Sequence, residues 1–299
     1  ENNRHSGSAR MKERLFAGLL FISILSFASC GKDSATDPAT NADPIDLTFN
    51  ATSALSDVLE IPAGESLWEN AETFGVYVAS ADPTRNVSAS LAVKEGKSSG
   101  AVRVNHFETG NTASFYYPYS KENDDKGMQN ITCTIAATQS QGEAGVFDAA
   151  NMPMASLVQT LNAETASPAQ TVEMHALGGI LRVKVHASGQ YAGETLLSVE
   201  YSDEKTPMAG SFTLDLSALK SESALVTPEC DGHSVKTTLS GGASYAVPAS
   251  ADAAKAVHAV MAAGSYDGTL TLTTDKAVYT QPASCKVERG ACCDLTVDL

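Results

Sequence analysis

The sequence predicts an all-β protein, with two β-sandwich domains in series behind an export signal and a flexible tether. Three observations carry that expectation. From Ile45 onward, apolar residues recur at alternate positions over short runs, the pattern of half-buried strands. Turn-forming clusters separate the runs, and helical periodicity is almost absent apart from short pieces at residues 149–159 and 251–255. The 299 residues suffice for two domains of ordinary size, and an apolar content of 43% can supply their cores.

In chain order, residues 1–10 precede Met11 and are set aside as an upstream extension. Residues 11–29 read as a lipoprotein signal peptide: Lys12 and Arg14 form a basic region, residues 15–27 are apolar, and small Ala28 and Ser29 follow. The apolar stretch is shorter than the roughly 20 residues of a spanning helix. Phe27-Ala28-Ser29-Cys30 resembles a lipobox, at which the chain is cut between Ser29 and Cys30 and acylated on Cys30; the other reading is an incidental cysteine after an ordinary cleavage site. Acylation, with palmitate as the expected chain type, would anchor the protein stably only with more than one chain, since each buried CH₂ contributes about 0.8 kcal/mol. Residues 30–44 form the acylated flexible tether, rich in Asp, Thr, Ala and Pro and too poor in apolar surface to order itself. Within it, Asp33-Ser34-Ala35 fits a short O-glycosylation pattern and equally fits plain linker composition.

The first sandwich is expected over residues 45–165. Its inward faces are Ile45, Leu47 and Phe49; Phe74, Val76 and Val78; Phe115, Tyr117 and Tyr119; and Ile131, Cys133 and Ile135, with Thr132 and Thr134 turned outward. An aperiodic stretch over 162–170 is the expected connection, and a second sandwich over 166–299 restarts the pattern. There Leu181, Val183 and Val185 share a face, followed by Leu197, Val199 and Tyr201, and by Phe212, Leu214 and Leu216. Later strands are expected at 235–239, 257–261, 270–274 and 277–280, and finally at Leu295, Val297 and Leu299.

The charge balance speaks against a nucleic-acid partner. Lys and Arg total 20 against 35 Asp and Glu, a net charge of −15, and loss of residues 1–29 removes four cations and two anions to leave −17. Cys133, Cys230, Cys285, Cys292 and Cys293 contain no Cys-x-x-Cys pair, so zinc and thioredoxin-like chemistry lack support. Cys133 reads as a core residue, and a bridge from Cys292 or Cys293 to Cys230 or Cys285 is open. His106, His175, His186, His233 and His258 lack metal-ligand spacing, and no nucleophile elbow, phosphate loop or EF-hand is present. No cofactor, metal or catalytic residue is expected.

Several segments together resemble the fimbrillin family, the type V pilus subunits and related surface lipoproteins of Bacteroidales. The resemblance spans nearly the whole mature chain. It is carried by the lipobox at Cys30, by Asp46-Leu47-Thr48-Phe49, by Trp68-Glu69-Asn70-Ala71-Glu72-Thr73-Phe74-Gly75-Val76-Tyr77, and by Ala113-Ser114-Phe115-Tyr116-Tyr117-Pro118-Tyr119-Ser120. Val172 to Val185 and the closing Asp294-Leu295-Thr296-Val297-Asp298-Leu299 complete the series. The resemblance implies two transthyretin-like β-sandwiches and, in polymerising members, a protease cut that removes the first strand so that a strand of another subunit fills the groove. Here the exchanged strand would carry Ile45, Leu47 and Phe49 as its plugs. One departure stands out. Members matured by an arginine-specific protease carry Arg in the loop after that strand, whereas residues 52–73 contain no Arg or Lys. The nearest candidate protease site is Arg85, beyond the second strand, so either another protease matures the chain or it stays intact as an anchor, tip or stand-alone surface protein.

The function expected is thus a structural or adhesive component of fimbriae on the cell outer membrane, non-enzymatic. Its expected partners are other fimbrial subunits or further copies of itself, the outer membrane through the lipid, and host or bacterial surface ligands. The alternative is a surface glycan-binding lipoprotein, in which Trp68 or the aromatic strand at 115–119 stacks on sugars; that needs exposed rings.

Overall fold

The computed structural model describes residues 44–79, 86–105, 108, 110–161 and 169–299. The described residues belong to one compact unit built almost entirely of strands. The signal peptide and tether lie outside the described residues, as does most of the expected connection at 162–170.

In the first half, β1 (Ile45–Thr52), β2 (Thr73–Ala79), β3 (Val87–Ser90), β4 (Ala92–Lys94), β5 (Lys97–Val104) and β6 (Thr112–Tyr117) are joined by β9 (Met154–Ser156), β10 (Gln159–Thr160) and β11 (Gln170–Ala176). Their order is β3-β2-β6-β9-β11-β1-β5-β4, with β10 also on β6. β11 is the corner. Its first residues pair in parallel with β1, Phe49 opposite Gln170, and its last pair antiparallel with β9, Met174 opposite Ser156. The sheet therefore folds over on itself: Phe49 of β1 meets Phe74 of β2 and Phe115 of β6 at ring-centroid distances of 6.0 and 4.9 Å, although neither strand neighbours β1.

In the second half, β12 (Gly179–His186) lies between β16 (Ala256–Met261) and β19 (Cys292–Asp298). Packed with this is a sheet of order β18-β17-β13-β15-β8, made of β13 (Leu196–Ser202), β15 (Ser234–Leu239), β17 (Gly264–Thr274), β18 (Val278–Val287) and β8 (Thr138–Gln141). β7 (Ile131–Ile135) and β14 (Gly210–Leu214) form a separate ribbon. Strands from either side of residues 162–168 thus pair with one another in the ribbon, in the β8–β15 pair and in the β11 corner. One contiguous core runs from Leu47 to Val297, and a smaller cluster of Tyr77, Tyr116, Ile131, Cys133 and Leu216 sits under the ribbon.

β8 closes an edge of the three-stranded sheet with side chains rather than backbone. The buried amide of Gln139 accepts from Val260 N at 2.8 Å and donates to Val260 O at 2.7 Å. Gln141 accepts from His258 N and donates to Ala256 O, each at 2.9 Å, and the Thr237 hydroxyl donates to His258 O. The carbonyls that β16 turns away from β12 at 256, 258 and 260, and the amides at 258 and 260, are satisfied in this way, as burial demands.

Several local expectations are corrected. Residues 149–159 are not helical beyond a 3₁₀ turn at Ala149–Asn151, started by the Asp148 side chain accepting from Ala150 N. Pro153 follows at once, and pairing with β6 and β11 makes 154–156 a strand. The piece at 251–255 is likewise only a 3₁₀ turn, at Ala251–Ala253. Leu197 is 41% exposed, because a register shift between Leu196 and Ser198 hands its inward place to Leu196. Tyr119 lies past the end of β6, and Leu216 is buried from a 3₁₀ turn rather than a strand.

Candidate strand-exchange site

β1 is an inner strand, held along both edges. It pairs antiparallel with β5 from Ile45 opposite Val104 to Ala51 opposite Ser98, and in parallel with β11 from Phe49 to Thr52. Alternation places Leu47, Phe49 and Ala51 inward, all buried, while Ile45 packs half-buried at the entry. Burial of Leu47 and Phe49 contributes about 1.5–3 kcal/mol each. Their loss would open two slots and leave both β5 and β11 with a bare edge.

Phe49 needs room, and Gly100 provides it. The two stand opposite each other across β1 and β5, and a Cβ on Gly100 would lie 2.5 Å from Phe49 Cζ. Sequence reasoning missed β5 for this reason: its inward positions include Ser98 and Gly100, which carry no apolar signal. The outward pair Asp46–Arg103, 3.1 Å apart and more than half exposed, adds little stability.

Beyond β1 the chain makes one turn of helix, α1 (Leu55–Val58), whose Leu55 is buried. It then runs through Glu60, Pro62, Ala63, Gly64 and Glu65, all exposed, before Leu67 and Trp68 re-enter the core. Glu60 adopts a φ of 55°, in the left-handed region that costs a residue with a Cβ. Trp68 packs edge-on to Phe74 at 5.4 Å, and Phe74 to Tyr117 at 5.4 Å. Burial raises the pKa of Glu72 and of Tyr117 beside this ring cluster. Segment 60–65 is thus an accessible link between a core strand and a fixed return point.

Of the residues singled out from sequence, Ile45, Leu47 and Phe49 are brought together in β1. Ser29, Cys30 and Arg85 lie outside the described residues. β2, which precedes Arg85, is separated from β1 by β6, β9 and β11 in the sheet order, so a cut at Arg85 would free two distant strands and remove Phe74, Val76 and Val78 from the core. The aromatic strand is not a sugar platform: Trp68, Phe115, Tyr116 and Tyr117 are each at most 3% exposed. Pro118 and the partly exposed Tyr119 line a cavity of about 230 Å³, below the range usual for ligand pockets. Among the described residues, no three His, Cys, Asp or Glu side chains converge as metal ligands, and no helix is long and apolar enough to cross a membrane.

No family model and no curated protein matches the chain. Solved structures do. A candidate cell adhesion protein from Bacteroides ovatus superposes with a TM-score of 0.53 at 16% identity, covering 86% of this chain and 92% of that one. A candidate cell adhesion protein from Bacteroides uniformis gives 0.53 at 14% identity, over 85% and 92%. At such identities the likeness is one of fold.

Proposed function

We propose that this chain is a fimbrillin-like cell-surface lipoprotein, acylated at Cys30 and held on the outer membrane, that serves as a structural or adhesive component of fimbriae assembled by strand exchange. One observation carries the reading: β1 is an inner strand with alternate side chains buried, yet it is joined to the rest of the fold through the exposed segment at 60–65. Cutting that segment leaves β1 held by noncovalent contacts alone, and a strand of another subunit with the same alternation can take its two edges and its pockets. The fold shared with the two Bacteroides adhesion candidates supports the cell-surface setting. The two transthyretin-like sandwiches at 45–165 and 166–299 would then act as one rigid subunit, without catalysis. Because 52–73 lacks Arg and Lys, maturation needs a protease of other specificity, and the uncut chain is suited to an anchor or tip role.

The test is the N-terminus of the protein taken from outer membranes and from sheared fibres, with gene deletion beside it. Acylated Cys30 in membranes, or a start within 60–66 in fibres, is the expected result, and deletion should reduce fibres or attachment. Unchanged fibres together with unchanged attachment would overturn the reading.

A further inference from the structure

β18 and β19 belong to different sheets, yet they abut where the chain turns from one to the other through residues 288–291. Cys285, three positions before that turn, is buried opposite Tyr266 of β17. Cys293, just after it, is half-buried opposite Leu181 of β12 and shares the inward face of β19 with Leu295 and Val297. Both side chains therefore point into the space between the sheets from its rim, on the two strands that meet at this turn. Adjacent Cys292 is on the opposite face of the strand.

We propose that Cys285 and Cys293 are the site of an intramolecular disulfide that ties the strand β19 to β18 across the rim between the two sheets. The oxidant is a small-molecule or protein disulfide. The more exposed Cys293 sulfur, as thiolate, attacks it, forming a mixed disulfide and releasing one thiol; the Cys285 thiolate then attacks Cys293 Sγ and releases the second. Two protein thiols are oxidised, one external disulfide is reduced, and both protons leave with the released thiols. Burial holds the Cys285 thiol up to about 11, which suits it to the second, intramolecular attack rather than the first. Loss of its proton strands nothing, because the neighbouring Tyr201 hydroxyl already donates to Ala283 O at 2.6 Å. The bridge closes a short loop and fixes β19, which pairs with β12 along one edge only.

Peptide mapping tests this on the folded full chain equilibrated with excess oxidised glutathione, then alkylated and digested with trypsin without reduction. Cleavage after Lys286 and Arg289 separates the two cysteines, so a linked pair of peptides reports the bridge. The link should persist in Cys292→Ser and vanish in Cys293→Ser and Cys285→Ala. Reduction should lower the melting temperature of the native chain by roughly 5 °C and leave that of Cys293→Ser unchanged. Unlinked peptides, glutathione retained on both sulfurs, or a link through Cys230 or Cys292 would overturn the assignment.

Discussion

His258 shows how one buried side chain can make stability depend on pH. Its ring is 5% exposed, set edge-on to Phe147, with Nδ1 3.2 Å from Gln141 Oε1. Burial first, and the positive Arg182 second, depress its pKa from 6.5 to about 4. Above pH 6.5 the ring is neutral in both states and has no effect. As pH falls from 6.5 to 4 the unfolded chain takes up a proton that the folded chain refuses, so stability drops; below 4 the loss is complete, at about 3 kcal/mol. Asp294 and Asp298 also lose their contributions in acid, since Arg182 and Ser188 respectively hold their pKa values low. The difference between the native chain and His258→Phe isolates the ring. Urea unfolding at pH 7 and pH 4 should show a smaller acid loss in the variant by about 3 kcal/mol, and equal losses would refute the assignment.

At the scale of the element, the glutamine clasp on β16 matters as much as any backbone ladder. Gln139→Leu keeps the volume but strands the amide and carbonyl of Val260, and each unsatisfied buried group costs about 1–3 kcal/mol. A loss of roughly 2–5 kcal/mol is expected in urea unfolding, with faster amide exchange at Val260 and little change at Leu181 on the neighbouring strand β12. The same logic of edges applies to β1: it has two partners, and its departure would expose both. β3 and β4, each paired along one side only within the sheet, carry no such demand.

Across the whole molecule, strands exchanged between the halves and one contiguous core predict a single cooperative unfolding transition. Fluorescence of Trp68, the sole tryptophan and part of the first half, should lose its native signal at the same denaturant concentration at which the amides of β17 lose protection. Two separate midpoints would show independent halves. The all-β class and most strand faces were legible from the sequence, as was the inward trio Ile45, Leu47 and Phe49. β5 and β8 were not, because Ser98, Gly100, Gln139 and Gln141 interrupt or replace the apolar signal on their inward faces, and the value of these residues depends on a phenyl ring or a strand edge brought from elsewhere. β6 and β2 were read only in part, since Tyr116 and Tyr77 are buried on the face where alternation predicts polar residues.

What the sequence by itself determined is the local alternation: which residues pair off to opposite sides of a strand, where the chain turns, and that Ile45, Leu47 and Phe49 share one side of the first strand. That follows because side-chain direction in a strand has a period of two whatever lies beside it. Only the tertiary structure decided which strands are neighbours, that β1 sits between β5 and β11, that glutamine amides finish the edge of β16, and that Cys285 and Cys293 stand on strands that abut. Pairing joins residues far apart along the chain, so it is fixed by the closure of the whole core and not by any local run of residues.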